Sequence, residues 1–115
     1  MTPGFGLSNG DKQILLQALE ELEDSLDEKS LSRVGVFGSR AQGREKINSD
    51  LDLVLYGAKD KYTAGRLKSL LQESSLPISV DIVLYDTLSN AALKEHIDLV
   101  AKTLFVKTGS GWMEC

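Results

Sequence analysis

Asp50 and Asp52 stand two positions apart where a polar stretch gives way to the apolar run Leu51–Tyr56. In an extended strand, side chains at i and i+2 leave the same face. These carboxylates therefore sit about 7 Å apart and aim the same way. Leu51, Leu53 and Leu55 take the opposite face, as buried residues would. A second run, residues 78–85, repeats the pattern, with Asp81 alternating against Val80, Ile82 and Leu84. If the two runs are neighbouring strands, Asp81 joins the pair. Three carboxylates without a counter-ion repel one another and force a proton onto at least one. A hard divalent cation removes that conflict, and Mg2+ characteristically combines carboxylate with phosphate oxygens. Taken alone, outward acids on an alternating strand are also ordinary solvent-facing residues.

Gly38-Ser39 changes the weighing. It follows directly on the strand-like stretch Arg33–Phe37. A turn of small residues there lets backbone N–H groups approach an anion, and the Ser39 hydroxyl adds a donor. Arg40, Arg44 and Lys46 then bring three positive charges close behind. Three carboxylates, two divalent ions, these bases and a triphosphate carrying about −4 come close to electroneutral together.

Other chemistries fit less well. Residues 38–43 have the G-x-x-x-x-G spacing of a P-loop, but Arg44-Glu45 stands where Lys-Ser/Thr is required. No G-x-G-x-x-G occurs, which excludes the dinucleotide fingerprint. A Ser-His-Asp hydrolase would have to use His96, the single histidine, which lies beside Glu95 and near Asp98 on a charged helix face.

The elements that must position these residues can be read from periodicity. Leu15, Ala18, Leu19, Leu22 and Leu26 recur at three- and four-residue steps and predict an amphipathic helix over 11–27, capped by Ser8 or Asn9. Strands are expected at 33–37, 51–56 and 78–85, with a fourth short one at 103–106. Residues 39–46 are polar and could begin with a helical turn. Leu67, Leu70 and Leu71 mark a helix over 61–72, and Ala92, Leu93, Ile97 and Val100 another over 90–100. Val36, Phe37 and Tyr56 are read as packing residues. The order predicts an α/β (α+β) fold with one small mixed sheet flanked by helices.

The 115 residues suit one domain, expected at 11–107 between a flexible N-terminus, 1–10, and a flexible tail, 108–115. Acid is concentrated early: residues 1–30 hold seven acids and two bases, the remainder ten acids and eleven bases. The early acids are read as a solvated helix face. With no long basic stripe, broad binding of duplex DNA is not expected. No apolar run reaches the length of a membrane span, and Cys115 is the sole cysteine, so a reducing cytoplasm is the expected setting.

Gly38-Ser39, ten intervening residues, Asp50-Leu51-Asp52 and a later strand carrying Asp81 resemble the nucleotidyltransferase superfamily, whose members include DNA polymerase β. The short length and Gly-Ser-Arg-Ala-x-Gly are most similar to its minimal (MNT) group, which often works beside a helical HEPN-type protein. The resemblance implies that Gly38 and Ser39 hold the β- and γ-phosphates of ATP or another nucleoside triphosphate, with Arg40 helping. Arg44 and Lys46 are assigned to the phosphates by charge alone. It further implies that Asp50 and Asp52 bridge two Mg2+ ions, and that Asp81 completes the metal site and prepares the acceptor hydroxyl. No helical domain follows Val106 to hold an acceptor, so a helical partner or a second copy is expected to supply it. The implied activity is transfer of AMP from ATP to that acceptor, as an antitoxin step. The competing reading is a non-catalytic nucleotide-binding subunit that neutralises a helical partner by complex formation.

Overall fold

The computed structural model describes residues 5–26, 31–44, 49–58 and 60–115. Helix α1 (Asn9–Leu26) opens with a reciprocal cap. The Ser8 hydroxyl accepts from the Asp11 N–H at 3.0 Å, and the Ser8 N–H donates to the Asp11 carboxylate at 3.1 Å. Two otherwise orphaned donors are satisfied there. Strands β1 (Arg33–Phe37) and β2 (Leu51–Tyr56) follow, then helix α2 (Tyr62–Gln72) and strand β3 (Val80–Leu84). A short 3-10 turn leads to helix α3 (Ala91–Val100), whose Asn90 cap accepts from the Leu93 N–H at 3.1 Å. Strands β4 (Lys102–Thr108) and β5 (Gly111–Glu114) end the chain.

The sheet runs β3-β2-β1-β4-β5; β2 and β3 are parallel and every other pair is antiparallel. The mixed sheet flanked by helices is the expected fold. Strand alternation divides its two faces. Val34, Val36, Leu51, Leu53, Leu55, Val80 and Leu84 pack against Leu15, Leu19 and Leu22 of α1 and Leu67 and Leu71 of α2. The other face carries Phe37, Val54, Tyr56, Val83 and Tyr85, with Ile97, Leu93 and Val100 of α3 lying over them. Asp52 and Asp81 belong to this second face by alternation.

Both ends of the chain differ from expectation. Phe5 and Leu7 are buried in the main core, so packing begins before α1. The expected tail is a hairpin, because Thr108 and Gly111 close a tight turn that the glycines permit. The Thr108 hydroxyl donates to the Gly111 carbonyl at 2.8 Å, and Gly111 holds φ +117°. The hairpin is fastened to α1: Trp112 Nε1 donates to Glu23 at 2.8 Å, Lys107 pairs with the same carboxylate, and Lys12 meets Glu114 at 2.7 Å. Part of the acidic block expected to be solvated is thus a docking edge for β4 and β5.

Candidate active site

The site grows from the start of β2. Asp52 lies opposite Phe37 on one side and opposite Asp81 on the other. The parallel register Asp52↔Asp81 puts both carboxylates on the same face of adjacent strands. Asp50 is exposed one residue before β2, on the same side by alternation. Partial burial, then the charges of Asp81 and Asp50, raise the Asp52 carboxyl above its ordinary value. Asp81 and Asp50 thus both act on Asp52 electrostatically. Among the described residues, no three such side chains are gathered into a cage that would hold a metal unaided. Mg2+ does not require one, since it usually takes one or two carboxylates together with substrate phosphates and water. An all-oxygen acidic set whose central carboxylate, Asp52, is crowded by like charge fits such an ion.

Gly38 closes the other flank. Its φ is +75°, and a Cβ there would collide with Oδ2 of Asp52. The left-handed backbone favours glycine, and its missing Cβ lets the Asp52 carboxylate approach without turning aside. The chain then makes one helical turn. Ser39 O accepts from Arg44 N at 2.9 Å, Arg40 O accepts from Gly43 N at 3.5 Å, and Gly43 has φ +70°. This is the paired bonding that ends a helix on a left-handed glycine. The second glycine of the P-loop-like spacing thus stops a turn rather than cradling phosphate.

The sequence-assigned bases separate. Arg44 is exposed, whereas Lys46 lies outside the described residues. Arg40 is only 4% exposed. Its Nη1 donates to the Phe5 carbonyl at 2.8 Å, and its Nη2 and Nε to the Ser49 carbonyl at 2.9 and 3.3 Å. In this arrangement Arg40 faces the protein interior and is spent on backbone, contrary to the role expected for it at the phosphates. His96 is exposed on α3.

Two features were not legible in the sequence. Lys68 of α2 reaches round the sheet edge to Asp81, Nζ to Oδ1 3.6 Å. Beside it lies a hollow of about 470 Å³ lined by Lys68, Leu71, Gln72, Ile78 and Asp81, among others. Helical spacing gives no sign that Lys68 meets an acid on β3. At the far end of the same face, Arg33, Tyr56, Tyr85 and Asp98 form a second polar cluster.

Residues 20–108 match the family of polymerase beta nucleotidyltransferases. The chain belongs to that family. Solved structures agree. A toxin–antitoxin complex with AMP-PNP is similar at 27% identity and a TM-score of 0.61, over 82% of this chain and 74% of that one. A structure described as a minimal nucleotidyltransferase is 29% identical with a TM-score of 0.53, over 80% of this chain and 93% of that one. An MNT antitoxin bound to a tri-AMPylated HEPN toxin of Shewanella oneidensis shares the fold at 21% identity and a TM-score of 0.54, over 81% and 70%. No curated protein sequence matches. The structural neighbours of this nucleotidyltransferase chain thus include MNT antitoxins and minimal nucleotidyltransferases. No helix among its described residues is long and apolar enough to cross a membrane.

Proposed function

We propose that this chain is a Mg2+-dependent nucleotidyltransferase that moves AMP from ATP to a hydroxyl on a helical, HEPN-type partner, acting as an antitoxin. The observation that carries the reading is the juxtaposition around Asp52: a glycine turn against one side of its carboxylate and Asp81 in register on the other. A glycine turn beside a carboxylate crowded by like charges is a place for a metal-bound nucleotide. The neighbour solved with AMP-PNP and the neighbour bound to an AMPylated toxin support the choice of donor and acceptor. A cytoplasmic location goes with ATP as donor.

In this reading Gly38, Ser39 and Arg44 bind the β- and γ-phosphates, and Asp50, Asp52 and Asp81 hold two Mg2+ ions. Those ions, when bound, would polarise the attacking oxygen and neutralise the leaving pyrophosphate. The acceptor oxygen forms a bond to the α-phosphorus, the bond from that phosphorus to its bridging oxygen breaks, and pyrophosphate departs. Asp81, on the free edge of the sheet, receives the hydroxyl proton. Asp52, between Gly38 and Asp81, would be kept ionised by a bound metal and fixes the spacing of the two sides.

Calorimetric titration of ATP with Mg2+, then with EDTA, tests the nucleotide site. Binding should require the metal and weaken at least tenfold in Asp50→Asn, since even outer-shell changes cost about 10–100-fold in metal affinity. Incubation with the helical partner should add AMP to it, read by mass spectrometry. An Asp52→Asn variant that neutralises the partner as well as wild type would point instead to inhibition by complex formation.

A further inference from the structure

Arg40 follows the glycine turn directly, and Ser49 precedes Asp50 directly. The Arg40 side chain spans the interval between them. Two of its nitrogens converge on the Ser49 carbonyl, and a third takes the Phe5 carbonyl. Among the described residues its hydrogen bonds all end on backbone oxygen, and it is almost fully buried. Phe5 itself is buried and holds φ +56°, a left-handed conformation uncommon for a bulky side chain. Such a conformation persists only where the surroundings over-determine it. The buried guanidinium fastening its carbonyl is one such constraint.

We infer that Arg40 is a positioning residue: it locks the phosphate-side turn to the start of β2, so that Asp50 and Asp52 are presented at fixed distance from Gly38, with the segment at Phe5 as the anchor. The Leu51 N–H donates to the Ser79 carbonyl at 2.9 Å, so the same fastening sets where β2 meets the chain leading into β3 and Asp81. A guanidinium suits this task because its fork is planar and fixed. A lysine has three donors on one rotating atom and cannot hold two separated carbonyls in one plane. To bind phosphate instead, Arg40 would have to give up its bonds to both carbonyls, the one at Phe5 buried, an unfavourable exchange.

What this says about metal rests on the proposed transferase reading; what it says about backbone does not. Hydrogen exchange of the full chain separates the two, comparing wild type with Arg40→Lys and Arg40→Met. The inference expects amide exchange to accelerate at least tenfold at residues 5–8 and 49–51 in both variants, with the amides of α3 unchanged. Unchanged exchange at those residues, or a uniform rise across the molecule, overturns it. Binding of Mn2+ alone, followed by calorimetry, is expected to weaken about tenfold in both variants, lysine failing to rescue. If lysine restores ATP affinity while methionine abolishes it and Mn2+ binding stays at wild type, Arg40 is a phosphate ligand and the inference is wrong. If wild type binds neither Mn2+ nor ATP, the transferase reading fails, and exchange at 49–51 still decides the fastening. Arg40→Lys keeps the test available should the methionine variant not fold.

Discussion

Asp52 and Tyr56 lie four residues apart on one face of one strand, yet their surroundings follow opposite rules. Around Asp52 the neighbours are like charges, Asp81 in register and Asp50 just before the strand, and burial adds to the conflict. Around Tyr56 the groups complement one another. Arg33 stacks on its ring at 3.9 Å, Tyr85 packs with ring centroids 4.9 Å apart, and the Tyr85 hydroxyl donates to Asp98 at 2.6 Å. Lys94 sits 5.0 Å over the Tyr85 ring. One end of the face has answered its own electrostatics; at the other Lys68 meets only Asp81, and Asp52 keeps a cost that a closer cation would remove. Conflict left standing beside a glycine turn marks function, whereas satisfied polarity marks structure.

Substituting across that divide should therefore give opposite signs in activity and stability. Asp52→Asn is expected to lower AMP transfer on the order of 10³-fold, the scale of losing a charge-stabilising group. It should also raise the melting temperature at neutral pH, by about 1–4 °C given the partial exposure of the group. The folded state holds the Asp52 proton more tightly than the unfolded chain, whose value is near 3.8. Ionisation thus costs stability, starting as pH rises past that value and complete above the raised folded one. The asparagine gain should vanish in melts at pH 3. A gain that persists there would mean the cost is not electrostatic.

Gly38→Ala comes next. The left-handed backbone and the collision with Asp52 should cost about 1–3 kcal/mol in urea unfolding and most of the transfer activity. Gly43→Ala is the control: its φ is +70°, but no atom lies within 4 Å of the added methyl. Only the backbone cost of about 1 kcal/mol should remain, with activity within a few-fold of wild type. Equal activity losses in the two variants would show that the turn matters through its shape rather than through its approach to Asp52.

These contrasts also explain what the sequence could and could not reveal. Alternation is local, so Asp50 and Asp52 could be assigned to one face from Leu51 and Leu53, and Asp81 to the polar side of its own run from Val80 and Ile82. The pairing of the two strands is tertiary. The strand before Gly38 ended visibly at that glycine. The helices followed from leucine spacing. The inward course of Arg40 was not legible because charge near a phosphate-like turn looks alike whether the side chain turns outward or inward. Its partners, the carbonyls of Phe5 and Ser49, are backbone and leave no trace in residue type. The 108–115 hairpin was missed for a related reason. Gly109-Ser-Gly reads as a loose end until Trp112 and Lys107 find Glu23, a contact spanning most of the chain. Lys68 meeting Asp81 is another tertiary fact of this kind.

At the satisfied end the expected changes are smaller and reversed. Arg33→Gln removes the cation over Tyr56, worth about 0.5–1 kcal/mol at a partly exposed site. The melting temperature should fall by about 2–6 °C, with transfer within twofold of wild type. A large activity loss with unchanged melting would move this cluster into the functional half of the comparison.

The finest test asks whether the satisfied end is satisfied in solution. The Tyr85 phenol titrates above its ordinary 10.0, first because its hydroxyl donates to Asp98, then through slight desolvation and the charge of that carboxylate. Ionising the phenol would break the bond and set two negative charges together. The unfolded chain therefore loses its proton first, and folding stability should decline as pH climbs past 10.0 toward the folded value. Alkaline difference absorbance, with Tyr85→Phe identifying the signal, should show Tyr85 titrating late in wild type and nearer 10.0 in Asp98→Asn, with transfer unchanged. Tyr56 is also raised, chiefly by burial and against the pull of Arg33, with the charge of Asp98 the last contributor, so it should shift less than Tyr85 in that variant. If Tyr85 titrates identically with and without Asp98, the hydroxyl–carboxylate bond does not hold, and the two ends differ only in the sign of their charges rather than in whether those charges are answered.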